Sequence, residues 1–240
     1  MDVEYIDLGK GYGEVRKEIE SKGVSFFKQN FNQGDFLQFG NSFGDIYKHR
    51  DSKNNSITIV SNVDEVSNSN EGYKGFTNSS LFPHTDRSTI NKPPNILILY
   101  CKQQSKKGGE TVLIDMKKVL DFCLNKYPSN CFMLNKNSVI FDDGKDKYKG
   151  SLIEFLEDGS YGLRFRNDRF GYFNSDIIDY LPEFYKLIEY NKITIKIPPN
   201  CGYIINNRRF LHGRSEFNGS REMWRLLIHD NYFKYLGFKL

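Results

Sequence analysis

Hydrophobic residues recur along this chain in short runs that are separated by Gly, Asn, Asp, Ser and Pro. Runs rich in Ile, Leu, Val and aromatic residues have the lengths and flanking residues that are typical of β-strands. They cover residues 95–101, 110–115, 151–156, 161–166, 192–197, 202–206 and 223–229. The run KITIKI alternates strictly, which predicts a strand with one face in water. Many short strands with few helices favour a sandwich or barrel with helices packed outside it.

Other segments of the chain are predicted to be helical or irregular. The predicted helices cover residues 12–22, about 34–48, 116–126 and 175–190, and a strand, GVSFFKQ, follows the first of them. The polar stretch 62–80 is rich in Gly, Asn and Ser and predicts a loop. Long loops in compact domains are often lids or binding loops, so 62–80 is a candidate lid. With no internal repeat, linker or shift in composition, residues 1–240 are expected to form a single domain.

Composition and charge narrow the class of protein. Hydrophobic residues make up 38% and charged residues 27%, the balance of a soluble globular protein. The formal charge of +4 is mild and is spread along the chain, so neither nucleic-acid binding nor membrane-surface binding is indicated. The N-terminus lacks a basic start followed by an apolar stretch, and no apolar run approaches the ~18 residues of a membrane span. We therefore expect a cytoplasmic, soluble protein.

The four cysteines point to the same compartment. Cys101, Cys123, Cys131 and Cys201 form no CxxC pair and have no zinc-like spacing. Reduced, buried thiols are the expected state, because nothing in the sequence indicates an oxidising compartment.

Candidate chemistry begins in the segment FPHTD. His84 and Asp86 flank Thr85, and in an extended segment residues two apart project from the same face. A neutral imidazole from far along the chain would complete a set of two histidines and one carboxylate. Such a set holds iron(II) and leaves positions for a cosubstrate and oxygen. By itself, HxD is more often a capping Asp beside an ordinary His, so the assignment depends on the other motifs.

Those motifs are GGET at 108–111, NRRFLHGR at 207–214 and REMWR at 221–225. Together with HTD, and in this order, they resemble the taurine dioxygenase and clavaminate synthase-like family of oxygenases over about residues 75–230. The resemblance implies a double-stranded β-helix, also called a jelly roll or cupin-like fold, that is mainly β with flanking helices. It also implies an iron(II)- and 2-oxoglutarate-dependent dioxygenase that uses O2, with His84, Asp86 and His212 as catalytic iron ligands.

Further residues come from the same resemblance. Thr111 of GGET corresponds to a threonine whose hydroxyl contacts a carboxylate of 2-oxoglutarate; the alternative is a threonine that begins a buried strand. Arg221 and Arg225 are four apart, which on a strand places both on one face. A planar guanidinium can bind a carboxylate through two parallel bonds. Arg221 is predicted to bind the distal carboxylate of 2-oxoglutarate, and Arg225 to lie beside it and meet the primary substrate.

Several other residues are candidates for substrate binding, and surface pairing is the alternative for the charged ones. The set consists of Asn78, Phe82, Arg87, Arg164, Arg166 and Asp168. Alternation would place the last three on one face. His49, at a predicted helix end, and His229, at a strand end, are expected to have structural or surface roles.

The favoured function is hydroxylation of a small polar substrate, such as an amino acid or a natural-product intermediate, with release of succinate and CO2. The carboxylate of Asp86 favours hydroxylation over halogenation, because halogenating relatives have a small residue there. Desaturation and epoxidation stay open as outcomes. The alternatives are an oxygenase of the same fold that acts on a peptide or carrier-bound residue, and a non-catalytic metal-binding jelly roll.

Overall fold

Strands dominate the chain, as the short hydrophobic runs predict. A computed structural model describes residues 3–52, 55–62, 71–126, 134–230 and 232–240, with only the backbone described at 71–73. The strands are β1 (Ile6–Asp7), β2 (Val24–Lys28), β3 (Gly44–Ile46), β4 (Thr58–Ser61), β5 (Leu81–His84), β6 (Ile96–Gln103), β7 (Lys107–Gly108), β8 (Thr111–Asp115), β9 (Val139–Asp142), β10 (Lys147–Gly150), β11 (Ile153–Phe155), β12 (Tyr161–Leu163), β13 (Gly171–Phe173), β14 (Ile193–Ile195), β15 (Cys201–Asn206), β16 (Phe210–Arg214), β17 (Phe217–Asn218) and β18 (Glu222–Asp230). The α-helices are α1 (Gly13–Lys22), α2 (Gln33–Asn41), α3 (Met116–Lys126), α4 (Ser175–Ile178) and α5 (Leu181–Tyr190), and Leu8–Lys10 and Glu71–Phe76 are 3-10 helices.

Two sheets form the centre of the molecule. The larger has the order β1-β2-β15-β6-β18-β3, with β4 also paired to β18, and the smaller has the order β14-β8-β16-β5. Their facing surfaces share one apolar layer, which includes Leu97 of β6, Leu113 of β8, Tyr203 of β15 and Leu227 of β18. The expected mainly-β architecture with few helices is confirmed.

Side chains alternate between the two faces of β18, so this strand contributes to two apolar layers. Met223 and Leu227 point into the layer between the sheets. Trp224, Leu226 and Ile228 point outwards and pack with the apolar faces of α1 and α2. On the opposite side, α3 and α5 cover the outer face of the smaller sheet. Each buried Leu, Ile or Phe side chain contributes about 1.5–3 kcal/mol through removal from water, so these layers hold the sheets together.

Most of the predicted elements are present within a few residues of their predicted bounds. The exception among the strands is 161–166, where β12 ends at Leu163. The predicted helix 175–190 is divided into α4 and α5. Pro182 lies in the first turn of α5, where the missing proline N–H costs no helical hydrogen bond.

The predicted helix at 34–48 is wrong in its second half. α2 ends at Asn41, and Gly44–Ile46 pairs with β18 instead. Gly44 has φ +153°, and a Cβ atom there would lie 2.2 Å from the carbonyl oxygen of His229. The close approach of two backbones, which only glycine permits, favours the strand over continued helix. His49 therefore follows a sheet edge and does not lie at a helix end.

Part of the candidate lid can be described. Residues 63–70 lie outside the described residues, while residues 71–76 form a 3-10 helix where a loop was expected. Cys101, Cys123 and Cys201 are outside any disulfide, and Cys131 lies outside the described residues. In the described parts of the chain, no helix has both the length and the apolar character needed to cross a membrane.

Candidate metal centre

Sheet pairing brings the two predicted histidine ligands together. His84 is the last residue of β5 and pairs in register with His212 on the neighbouring strand β16. Their ring centroids are 4.5 Å apart. Asp86 lies two residues beyond the end of β5, on the same side as both rings. The pairing of β5 with β16 therefore brings together His84 and His212, which are far apart in the sequence.

The donor atoms of this set converge. Nε2 of His84 is 3.9 Å from Oδ1 of Asp86, and Nε2 of His212 is 3.7 Å from Oδ2 of the same carboxylate. All three residues are buried, and one candidate ligand atom from each lies within 4.8 Å of the others. Nδ1 of His84 is 2.9 Å from the carbonyl oxygen of Phe82. Because a carbonyl can only accept, Nδ1 carries the proton, and Nε2 keeps its lone pair for a metal.

The protonation states favour a cation. Burial, together with the neighbouring His84, lowers the pKa of His212 to about 3, and burial also lowers the pKa of His84. Burial alone would raise the pKa of Asp86, but the charges of Arg225, His212 and His84 hold it below its usual range. At neutral pH the set is two neutral imidazoles and one carboxylate, the form in which these residues bind metals. The donor set and its burial thus fit a divalent transition metal.

A cavity beside this centre contains the predicted cosubstrate residues. Thr111, Arg221 and Arg225 line it together with His84 and His212, so the structure brings all of them to one place. Thr111 begins β8, is 1% exposed, and lines this cavity together with Tyr203. Arg221, Met223 and Arg225 all line this cavity, so the two arginines face the same way.

Arg221 has an unusual environment for a buried cation. Its side chain is 4% exposed, and no described residue forms a hydrogen bond with Nε. Within the described residues, no carboxylate pairs with its guanidinium; the ring of Phe217 lies 5.8 Å away. Burial lowers its pKa. This end of the cavity therefore carries a positive charge that no described residue neutralises.

Arg214, two residues after His212, adds a second buried guanidinium to the same cavity. It donates to the backbone carbonyl oxygens of Gly75 at 3.1 Å, Thr77 at 2.8 Å and Ser79 at 2.6 Å. Burial, and then the charge of Arg221, lower its pKa to about 10. Arg214 thereby ties the strand that bears His212 to the described end of the candidate lid.

Arg225 lies at the metal end. Its Nη1 is 3.1 Å from Oδ2 of Asp86, whereas Arg221 is paired with none of the three candidate ligands. Arg225 also lines a second cavity, which we call the outer cavity and whose walls include His84 and Asp86. The two arginines thus share a face but differ in their neighbours.

The outer cavity contains residues that the sequence analysis missed or assigned otherwise. His49, Arg50, Asp51, Asp143 and Phe170 line it along with His84 and Asp86. His49 was expected to be structural or at the surface, yet it is buried beside the candidate site. Burial, and then the charge of Arg225, lower its pKa to about 3. No local motif marks this position, since His49 reaches the site only through the pairing of β3 with β18.

Besides Arg225, two of the predicted substrate residues line the outer cavity, and both are already paired. Arg87 donates to Asp146 at 2.7 Å and lies 3.5 Å from Asp143. Arg166 pairs with Asp168, with Nε 3.0 Å from Oδ2.

Three others lie elsewhere. Arg164 is 2% exposed, donates to Glu154 at 2.8 Å and to the carbonyl oxygen of Asn91 at 2.6 Å, and is absent from the walls of both cavities. Asn78 is exposed, and Phe82 is 41% exposed with its ring against Phe165.

A buried set of two histidines and one carboxylate on a β scaffold is the arrangement of non-haem iron oxygenases. Comparison of the sequence agrees, because the profile of the taurine catabolism dioxygenase TauD, TfdA family matches residues 2–227. The chain belongs to this family.

Individual relatives are more distant. Gamma-butyrobetaine dioxygenase of Homo sapiens is 27% identical over 169 residues, which cover 63% of this chain and 44% of that protein. Mitochondrial trimethyllysine dioxygenase of Bos taurus is 23% identical over 235 residues, covering 85% of this chain and 55% of that protein. The chain spans about half the length of the curated relatives it matches.

Solved structures show the same fold. An asparagine oxygenase (AsnO) superimposes with a TM-score of 0.75 at 14% identity, covering 97% of this chain and 84% of that one. The non-haem iron oxygenase OrfP, in complex with Fe and alpha-ketoglutaric acid, superimposes with a TM-score of 0.67 at 13% identity, covering 92% and 80%. At these identities the similarity concerns the fold.

Proposed function

We propose that this chain is an iron(II)- and 2-oxoglutarate-dependent oxygenase that hydroxylates a small polar molecule and releases succinate and CO2. The observation that carries the proposal is the guanidinium of Arg221, which is buried in the cavity that His84 and His212 also line and has no counter-ion among the described residues. Leaving a buried charge unpaired costs several kcal/mol, so this arrangement is favourable only if an anion enters the cavity.

A dicarboxylic acid fits the distribution of groups in this cavity. One carboxylate would bind Arg221 and the hydroxyl of Thr111, and the 2-oxo acid end would face His84, Asp86 and His212. Bound iron(II) would supply the activation of oxygen that C–H hydroxylation requires, coupled to decarboxylation of the cosubstrate. The protein's own contribution is to hold the ligands, orient both acids and keep water away from the reacting centre.

We propose that the two facing sheets are those of a jelly roll, in keeping with the shared fold of the solved relatives, and that residues 1–240 form one catalytic domain. The 62–80 segment would act as a lid. Its described end supports this role, because Gly75 and Phe76 line both cavities at the metal centre.

The outer cavity is the proposed substrate pocket. Its walls carry charges of both signs, including Arg50, Asp51, Asp143 and Arg166. Such walls suit a small molecule with a carboxylate, an ammonium group or both, as a free amino acid has. An asparagine oxygenase and an oxygenase bound to hydroxyarginine are among the proteins with this fold, which supports the same class of substrate.

Anaerobic titration with iron(II), followed by 2-oxoglutarate, tests the proposal. We expect one iron per chain and a weak visible charge-transfer band once 2-oxoglutarate is added. Under air, a panel of amino acids, trimethyllysine, gamma-butyrobetaine and short peptides should then reveal substrate-stimulated succinate by mass spectrometry. Asp86→Ala and His212→Ala serve as controls that lose iron while keeping a cooperative melting transition. Metal binding without any response to 2-oxoglutarate would instead indicate a non-catalytic metal protein.

A further inference from the structure

The backbone of Asp86 is held by a single side chain from another part of the molecule. The N–H of Asp86 donates to Oδ1 of Asn207 at 2.8 Å, and its carbonyl oxygen accepts from Nδ2 of Asn207 at 3.0 Å. The same Nδ2 also donates to the carbonyl oxygen of Pro94 at 2.8 Å. One carboxamide therefore satisfies both backbone hydrogen-bonding groups of a candidate metal ligand.

Asn207 is itself firmly held. Its side chain is fully buried, at 0% exposed, and its backbone N–H donates to the carbonyl oxygen of Asn95 at 2.7 Å. It directly follows β15 and lies five residues before His212 on β16. The carboxamide of Asn207 thus connects the segment that carries Asp86 to the segment that carries His212.

We propose that Asn207 is a positioning residue for the metal centre, which it serves by fixing the carboxylate of Asp86 relative to His84 and His212. The inference rests on the proposed function, because it assumes that these three residues bind a metal. Ligands need to be held within about 0.5 Å of their working geometry, and hydrogen-bonded partners behind the ligands supply that restraint.

The chain around Asp86 needs such a restraint. Asp86 follows the end of β5, and the next residue, Arg87, has φ +57°. That conformation is uncommon for residues other than glycine, so the turn depends on the contacts around it. Removing the bonds from Asn207 would let the turn relax and move the carboxylate away from the imidazoles.

The neighbouring residue provides a matched control. Asn206 is also buried, at 5% exposed, and its carboxamide also takes part in three hydrogen bonds. Those bonds reach the carbonyl oxygens of Leu236 and Gly237 and the N–H of Arg208, away from the metal ligands. Loss of Asn206 should therefore cost stability without changing the position of Asp86.

The test is titration of the purified chain with Co(II), monitored by calorimetry and by visible absorption. Thermal melting of the same proteins measures their stability. Asn206→Ala and Asn207→Ala should both lower Tm. Asn207→Ala alone should raise the Co(II) dissociation constant by about 10- to 100-fold and change the ligand-field spectrum. Asn207→Asp keeps the side-chain size and the acceptor for the N–H of Asp86, but it loses the donor to the carbonyl oxygen of Asp86. This variant tests the same contact if the alanine variant folds poorly. It should also bind Co(II) more weakly, by about tenfold or more.

The outcomes separate the two proposals. If the wild-type chain binds neither Co(II) nor iron(II), the proposed function fails, and this inference fails with it. If the wild-type chain binds metal but both Asn207 variants bind it with the same affinity and spectrum, only the positioning role is wrong. An equal loss of affinity in Asn206→Ala would likewise overturn it, because the effect would then be one of general stability.

Discussion

At the scale of single residues, Arg221 and Arg225 should have separable functions. Arg221 has no carboxylate partner among the described residues, whereas Arg225 contacts Asp86 and lines both cavities. Arg221→Ala should raise the 2-oxoglutarate requirement by roughly 30- to 1000-fold, since removal of one charged partner from a closed site costs about 2–4 kcal/mol. Arg225→Ala should mainly weaken primary-substrate binding or uncouple decarboxylation from product formation. Kinetics in which each ligand is varied in turn measure both effects.

Arg221→Lys is the matched control, because it keeps the charge but cannot form two parallel bonds to a carboxylate. It should fall between the wild type and the alanine variant. If Arg225→Ala instead carried the 2-oxoglutarate defect while Arg221→Ala behaved as wild type, the two assignments would have to be exchanged.

The parts of the site that could be predicted are those with a motif. His84 and Asp86 lie within a short pattern whose spacing implies one direction for both side chains, and Thr111 was assigned from the resemblance to the family. The structure brings all three together with His212 and Arg221. The positions of Arg87, Arg164 and His49 could not be predicted in this way. Their neighbours, such as Asp146, Glu154 and Arg225, come from distant segments, so the sequence around each residue carries no trace of the contact.

At the scale of elements, the edge strand β3 depends on Gly44. An alanine there would place Cβ 2.2 Å from the carbonyl oxygen of His229, at a backbone φ of +153°. Gly44→Ala should therefore lower the free energy of unfolding by about 2–4 kcal/mol, in the range of substitutions that force backbone strain. Gly13→Ala, at a position with open space around a new Cβ, should change it by less than about 0.5 kcal/mol. Urea denaturation of the two variants makes the comparison, and equal effects would show that the close approach of β3 to β18 is unimportant.

Long strands were easier to predict from the sequence than short edge strands such as β3. β6, β15 and β18 are buried on both faces between a helical layer and the second sheet, so they appear as continuous apolar runs. β3 and β4 are short edge segments that are stabilised by their partner strand β18, and their own sequences carry little periodicity. The prediction of a helix over 34–48 is wrong at β3, because pairing with β18 outweighed the helical spacing of the local apolar residues.

At the scale of the whole molecule, burial of histidines should make stability depend on pH. Burial is the largest cause of the lowered pKa of each histidine, and it brings His49 and His212 to about 3. In the unfolded chain a histidine has a pKa of about 6.5. At pH values between the folded and the unfolded pKa, the unfolded state therefore binds protons that the folded state does not bind. The free energy of unfolding of the metal-free protein should therefore be flat above about pH 7 and decrease as the pH falls below about 6.5.

Each buried histidine can contribute up to about 1.4 kcal/mol per pH unit to this slope. Asp86, whose pKa is lowered, contributes with the same sign only as the pH falls below its unfolded value of about 3.9, so measurements between pH 5 and 7 isolate the histidines. Urea titrations across this range should show a smaller slope for His49→Gln than for the wild type. His229→Gln is the control, because His229 is only half-buried and should change the slope less. An unchanged slope in His49→Gln would mean that His49 is accessible to protons in the folded state, which contradicts its burial beside Asp86 and Arg225.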